Sequence, residues 1–284
     1  MPMTRWPVAL ALAALLAGPA AAQEKPTVAM IGAGTLGGTW GPKLAELGYP
    51  LIYGSREPDR ESVRALVARS GANASAARPA DAAARADVII LAVPREALEE
   101  VARGLGDVTG KVLIDVSGGE KRVAEDGYLE LVSDSANAQR LQARHPDARV
   151  IRISLPLMFF LVEPELAGPP PSILIAGNDA RAKEVVARLI FDHGLHPVDA
   201  GPLRFARTFD ALATLGMVPL QQGRPVEYAL AMLPGPPLTC FIDAAAYFGF
   251  GRPYDIDDLA QFPRRSEPVT CEQWLQRLAK YLPR

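Results

Sequence analysis

The sequence is poor in the residues that would indicate a zinc-binding, disulfide-rich or nucleic-acid-binding protein. Only two cysteines and three histidines occur among its 284 residues, and they lack the spacing of a zinc site. The formal net charge is -2, so no excess of positive charge attracts nucleic acid or an anionic membrane. We therefore expect no nucleic-acid partner. Any anionic ligand must be bound by a few individually placed cations.

The scarce cysteines and histidines still allow specific expectations. Cys240 and Cys271 are most simply a disulfide if the protein is in an oxidising compartment. A redox-active pair is the less favoured alternative, because the CxxC spacing is absent. His193 and His196 lie where a helix passes into a strand, so capping or surface roles are expected for them rather than metal binding.

Long hydrophobic runs are also missing, apart from a short one at the start of the chain. Arg5 precedes an apolar run at 8–17, and small residues at 20–22 follow it, which is the layout of a secretory signal peptide, residues 1–22. The run is shorter than the roughly 20 residues of a membrane-spanning helix. We expect cleavage after Ala22 and a periplasmic or secreted protein without a later membrane span. An uncleaved N-terminal anchor is the alternative.

Beyond this segment, apolar strand-like runs alternate with amphipathic helix-like stretches. The runs are apolar at nearly every position, as in strands of a parallel sheet that helices cover on both faces. The pattern predicts a doubly wound, mostly parallel α/β sheet of the NAD(P)-binding Rossmann type over residues 26–222. An irregular C-terminal extension is expected over 223–284. The predicted strands are 27–31, 50–53, 87–93, 111–116, 149–153, 172–176 and 196–198, and the predicted helices are 36–47, 61–70, 95–103, 136–143, 179–191, 203–215 and 272–281.

A glycine-rich turn follows the first predicted strand. Gly32, Gly34 and Gly37 fit the pattern G-x-G-x-x-G between a strand and a helix. In such a turn the first glycine permits the sharp bend, the second lets a pyrophosphate approach, and the third lets helix and strand pack closely. We predict a dinucleotide site here that also includes Thr35 and Leu36.

The end of the second predicted strand indicates which dinucleotide. An NAD site has Asp or Glu there to bind the ribose hydroxyls, whereas this chain has Ser55 and Arg56 after Gly54. A hydroxyl and a guanidinium can bind the 2'-phosphate of NADP. The sequence therefore predicts NADP(H), with Arg60 as a second cation. A surface turn with a solvated arginine is the alternative.

Four segments make the chain resemble a known family, the NADP oxidoreductases that act on the deazaflavin coenzyme F-420. They are the glycine-turn segment "IGAGTLGGTWGPKLAELGYPLIYGSREP", "ADVIILAVP", "GKVLIDVS" and "AGNDARAKEVVARLIFDHGLHPVDAGPLRFAR". The resemblance implies that Ala92, Val93, Pro94 and Ser117 line the nicotinamide half of the cleft. It also implies a flavin or deazaflavin that stacks on the nicotinamide and exchanges a hydride with it directly.

Two segments depart from the family pattern on the acceptor side. Ser117-Gly118-Gly119 replaces a Thr-Asn-Pro type of turn, and the segment 153–156 replaces an Ala-Phe-Asn-Thr type of stretch. Two hypotheses therefore stay open. One is an exported NADP(H)-dependent oxidoreductase that acts on a small-molecule redox acceptor, and the other is a non-catalytic binding or scaffold protein with a remodelled pocket. The sequence also leaves open whether the protein is a monomer or a homodimer.

Overall fold

A computed structural model describes residues 24–155 and 170–222. The predicted signal peptide, the C-terminal extension with its helix at 272–281, and Cys240 and Cys271 lie outside the described residues, as does Pro156. Strands and helices alternate along the described chain. The strands are β1 (Val28–Ile31), β2 (Leu51–Gly54), β3 (Ala74–Ala77), β4 (Val88–Leu91), β5 (Val112–Asp115), β6 (Lys121–Val123), β7 (Leu129–Leu131), β8 (Arg149–Ile153), β9 (Ser172–Gly177) and β10 (His196–Asp199). The helices are α1 (Thr35–Glu46), α2 (Glu61–Ser70), α3 (Pro79–Arg85), α4 (Arg95–Arg103), α5 (Asn137–Arg144), α6 (Ala180–Asp192), α7 (Ala206–Gly216) and α8 (Val218–Gln221), with a 3-10 turn at Leu203–Phe205.

The main sheet of the described residues has eight strands in the order β10-β9-β8-β5-β4-β1-β2-β3. Neighbouring strands are parallel except for β8 and β9, which are antiparallel. The chain builds outward from β1 in one direction through β2 and β3, and in the other through β4 and β5. The strand order reverses between β1 and β4, where doubly wound sheets bind their ligands. This topology confirms the predicted fold class.

The sheet is buried on both faces, as the continuous apolar runs predicted. In β1, Val28 and Met30 pack in one core cluster with α1, α2 and α6. Ala29 and Ile31 point to the opposite face and pack in a second cluster with α3, α4 and α5. Because successive side chains of a strand alternate between faces, a strand covered on both sides must be apolar throughout. None of the helices within 24–155 and 170–222 has the length and apolarity needed to cross a bilayer.

Strand β3 and the hairpin of β6 and β7 were not predicted, and one predicted helix begins differently. Strand β3 has the sequence ASAA and is only partly buried at the edge of the sheet, so it forms no apolar run. The short hairpin of β6 and β7 forms a separate two-stranded sheet outside the main one. The predicted helix at 203–215 begins as a 3-10 turn and becomes helical at Ala206.

His193 has the first of the two roles predicted for it, capping or a place at the surface. His193 is the C-cap residue of α6, as a capping role requires. It is not at the surface, however, because only 2% of it is exposed, and its ring meets that of Trp40 edge-on at a centroid distance of 6.2 Å. The residue therefore belongs to the core between α1 and α6.

Helix α1 lies close to the backbone of the turn after β1 at Gly37. A Cβ atom placed on Gly37 would lie 2.0 Å from the carbonyl oxygen of Gly32, far inside van der Waals contact. The next residue in the same helix, Gly38, has more room, because the nearest atom to its Cβ position is a flexible Arg69 nitrogen at 3.7 Å. Packing therefore requires glycine at position 37 but not at position 38.

We predict that Gly37→Ala destabilises the protein by about 1–3 kcal/mol, since the added methyl group must push α1 away from the turn after β1. Gly38→Ala is the matched control. It is expected to be neutral or to stabilise by up to about 1 kcal/mol, because alanine favours the helix. Urea unfolding of both variants measures the difference. Equal stability of the two variants would contradict this account of α1 packing.

Candidate functional site

A cleft of about 700 Å³ opens at the carboxyl ends of the strands, where the strand order reverses. Residues from the ends of β1, β2, β3 and β4 and from the start of α4 line it. The structure thus brings together most of the site residues predicted from sequence. The predicted residues that line the cleft are Gly32, Gly34, Ser55, Arg56, Ala92, Val93 and Pro94.

The glycine turn has the geometry that its sequence pattern predicts. Gly32 adopts a φ of +116°, and a Cβ there would lie 2.3 Å from the carbonyl oxygen of Ala92, so only glycine fits. Gly34 is the N-cap of α1, and no atom lies within 4 Å of its Cβ position. The space that a side chain would fill is therefore open cleft beside a helix N-terminus, where backbone N–H groups favour an anion.

Thr35, Leu36 and Gly37 form the first turn of α1 behind this opening and are not among the residues that line the cleft. Gly37 acts through packing instead, because it allows α1 to lie against the turn that carries Gly32. Their predicted contact with the cofactor stays a prediction.

A polar corner follows β2. The hydroxyl oxygen of Ser55 accepts a hydrogen bond of 3.2 Å from the backbone N–H of Glu57. This arrangement leaves the hydroxyl proton of Ser55 to be donated to a ligand. Arg56 is exposed beside it and also lines the cleft. The predicted hydroxyl and guanidinium are therefore both present at the end of β2.

Two further arginines line the same cleft. Arg60, which was predicted as a second cation, is the N-cap residue of α2. Arg78, which sequence reasoning missed, is the N-cap residue of α3. A prediction of β3 would have found it, because the register pairs Gly54 of β2 with Ala77 of β3, and Arg78 is the next residue.

The charges around this corner are mostly positive. In the described part of the chain, none of the three arginines forms an ion pair within 4.0 Å. Two carboxylates, Glu57 and Glu100, also line the cleft. The three arginines and two glutamates give the residues that line the cleft a net charge of +1. This charge favours an anionic ligand, although the whole chain is slightly acidic.

Ser117, the remaining predicted site residue, lies away from the cleft-lining set and faces inward. Its hydroxyl donates to Oδ1 of Asp115 at 2.6 Å and accepts from Nδ2 of Asn137 at 2.7 Å. The residue is only 8% exposed. These contacts tie the end of β5 to the start of α5, so the structure gives Ser117 a structural role.

A buried charge network, which sequence reasoning also missed, continues from this point. It comprises Asp115, Arg152 and Asp210, each at most 3% exposed. Arg152 donates to Oδ1 of Asp210 at 2.9 Å, and its Nε lies 3.8 Å from Oδ2 of Asp115. Burial raises the pKa of the Asp115 carboxyl, while Arg152 and Ser117 oppose that shift. The network joins β5, β8 and α7.

The departures from the family pattern serve this packing. A Cβ on Gly119 would lie 2.6 Å from Leu131 and 3.0 Å from Oδ2 of Asp210, so the small residue makes room for the network. The hydroxyl oxygen of Ser154 accepts from the backbone N–H of Leu174 at 2.9 Å, which extends the pairing of β8 with β9. Gly119 and Ser154, which belong to the two departing segments, thus make internal packing contacts.

We predict that Arg152→Met destabilises the protein by about 3–5 kcal/mol, because Asp115 and Asp210 lose the buried guanidinium that lies between them. In the variant, Asp115 loses the cation that opposes the effect of burial, so the pKa of its carboxyl in the folded state rises further above the unfolded value. Stability is then lost as the pH rises. Urea unfolding at pH 5 and pH 8 should show the larger deficit at pH 8.

Arg149→Met is the matched control on the same strand. Arg149 is only partly buried, with 41% of its side chain exposed, and lies 3.5 Å from Asp179, so its loss should cost no more than about 1 kcal/mol. A deficit of Arg152→Met that is no larger than that of the control, or that does not grow with pH, would contradict the electrostatic account of the network.

The eight-stranded sheet with its flanking helices is a Rossmann-like α/β fold. Residues 27–119 match the family model described as NADP oxidoreductase coenzyme F420-dependent. The match covers about a third of the chain and agrees with the resemblance seen in the sequence.

Known proteins resemble the chain over a wider range. Metalloreductase STEAP3 of Rattus norvegicus is 26% identical over 196 residues, which are 67% of this chain and 37% of the relative. The chain thus spans little more than a third of that relative's length. A structure described as an F420-dependent NADP reductase from Arthrobacter sp. FB24 has a TM-score of 0.63 and 24% identity over 73% of this chain and 100% of its own. A hypothetical protein from Sinorhizobium meliloti has a TM-score of 0.55 and 26% identity over 74% of this chain and 98% of its own.

Proposed function

We propose that the protein is an exported NADP(H)-dependent oxidoreductase that moves a hydride between nicotinamide and a flavin-like or other small acceptor. The observation that carries this proposal is the cleft in which the glycine turn, Ser55 and three arginines meet at the switch point of the sheet. The family match of residues 27–119 supports the same reading.

The proposed nucleotide position follows from the two ends of the cleft. The pyrophosphate is expected at Gly34, where the cleft is open and α1 begins. The 2'-phosphate is expected at Ser55 and Arg56, where an NAD site would have a carboxylate. Glu57 is adjacent and disfavours a phosphate, but the arginines outnumber it. We therefore expect NADPH to bind more tightly than NADH.

The nicotinamide half is expected at Ala92, Val93 and Pro94, after β4. When bound, NADPH supplies a hydride from its ring to an acceptor stacked on it and becomes NADP⁺. Such a transfer depends on close stacking and exclusion of water rather than on a protein acid or base. The apolar side chains of this segment suit that task, and no residue is assigned as a catalytic acid or base.

A non-catalytic nucleotide-binding or scaffold protein is the second candidate. The inward hydrogen bonds of Ser117 favour it, because a residue expected beside the nicotinamide is used for packing instead. Oxidation of NADPH in the presence of FMN, FAD or a deazaflavin distinguishes the candidates. Binding without turnover by any of these acceptors would favour the second.

We predict that Arg56→Ala weakens NADPH binding about 10- to 100-fold and leaves NADH binding unchanged, since only NADPH has the 2'-phosphate. A charge-assisted hydrogen bond contributes about 1.5–3 kcal/mol, which corresponds to that range. Fluorescence titration of the purified protein with both nucleotides measures the effect.

Two variants serve as controls for this titration. Arg64→Ala removes an exposed positive charge of α2 that does not line the cleft and should bind both nucleotides normally. Gly34→Val places a branched side chain in the open cleft and should lose both nucleotides while the protein stays folded. A wild-type protein that binds neither nucleotide would refute the proposed function.

Export is the part of the proposal that rests on the N-terminal segment. We predict that expression of the full-length chain in a bacterium gives a periplasmic protein whose first residue is Gln23, as N-terminal sequencing would show. Lys25 follows closely and is held in the folded domain by Asp192 at 2.9 Å and the carbonyl oxygen of Leu47 at 2.7 Å. A full-length cytoplasmic product would overturn the assignment of a cleaved signal peptide.

A further inference from the structure

We propose that Arg78 is a further 2'-phosphate ligand, so that the chain selects NADP from the ends of two neighbouring strands, β2 and β3. This inference rests on the proposed function and assigns a specificity-determining residue within the same cleft. It goes further than the serine and arginine after β2, because it adds a cation from a separate structural element.

The register of the sheet places Arg78 beside the polar corner of β2. Strands β2 and β3 are parallel, with Gly54 paired to Ala77. The pairing extends one residue further, since the backbone N–H of Ser55 donates to the carbonyl oxygen of Ala77 at 2.9 Å. Arg78 is the next residue, and its side chain lines the same cleft as Arg56. A ligand at the end of β2 therefore lies next to the residue that leaves β3.

The backbone of Arg78 is fixed by its neighbours. It is the N-cap residue of α3 with φ of -66° and ψ of 152°, and Pro79 follows at the first helical position. Its carbonyl oxygen accepts from the backbone N–H of Ala82 at 2.9 Å. Because the main chain is already ordered on both sides, binding of an anion has to order only the arginine side chain.

The charges argue for an anion rather than for a structural ion pair. Three arginines, Arg56, Arg60 and Arg78, line the same cleft. In the described residues, neither Glu57 nor Glu100 lies within ion-pair distance of any of them. Like charges repel at close range, so this convergence is best compensated by a doubly negative ligand. Guanidinium groups also match the oxygens of a phosphate in a bidentate geometry.

A different role for Arg78 would be stacking on the adenine ring. Such a contact is common to NADPH and NADH, whereas a contact with the 2'-phosphate affects NADPH alone. The two roles therefore predict different effects of the same substitution. The phosphate contact is favoured because the pairing of β2 with β3 places Arg78 next to Ser55 and Arg56.

The test is a titration of wild type, Arg78→Ala and Arg78→Lys with NADPH, NADH and adenosine 2',5'-bisphosphate. Arg78→Ala should weaken binding of NADPH and of the bisphosphate about 10-fold or more and leave NADH unchanged, as loss of a charge-assisted contact requires. Arg78→Lys should recover part of the affinity. Arg85→Ala, at the opposite end of α3 and outside the cleft lining, is the matched control and should behave as wild type.

Unchanged binding by Arg78→Ala would overturn the inference, and so would an equal loss for NADPH and NADH, which would indicate adenine stacking. These outcomes leave the proposed function intact if the wild type binds NADPH. Binding of the bisphosphate that is sensitive to Arg78, without binding of NADPH, would instead refute the proposed function and retain the anion contact. A wild type that binds none of the three ligands would refute both.

Discussion

The contact between α1 and the turn after β1 is the constraint on which the candidate site depends. Gly37 lets the helix approach the carbonyl oxygen of Gly32 at a distance that no side chain permits. Gly32 in turn can bend the chain only because it lacks a side chain that would strike Ala92. These two close approaches aim the start of α1 at the space between β1 and β4. The electrostatic effect of a helix N-terminus becomes useful only when it is placed in this way.

Arginines at the two halves of the sheet edge differ in whether they are paired with carboxylates. At the ends of β2 and β3, exposed arginines lie in a cleft and find no carboxylate partner among the described residues. At the ends of β5 and β8, Arg152 is buried between two carboxylates and hydrogen-bonded to one of them. Charges that are paired internally hold elements together, whereas charges left toward solvent can bind a ligand. The net charge of the chain predicts neither arrangement.

The sequence predicted the elements whose apolar pattern reflects burial on both faces, and the glycine turn whose spacing reflects close packing. It did not predict β3, because an edge strand made of alanine and serine has no such pattern. Arg78 was missed with it, since its importance comes from the neighbouring strand rather than from a motif. The network of Asp115, Arg152 and Asp210 joins residues far apart in the chain, and only the folded structure brings them together.

The buried network also bears on the kind of acceptor that the proposed oxidoreductase can use. The Ser117 hydroxyl donates to Asp115 and accepts from Asn137 at the end of β5, so it has little remaining hydrogen-bonding capacity for a polar substrate. The side of the cleft where the nicotinamide is proposed to bind is lined mainly by Ala92, Val93 and Pro94. A small polar acceptor would find few partners on such a surface and would lose its hydration. A planar flavin-like ring, which gains most of its binding from stacking, suits it better.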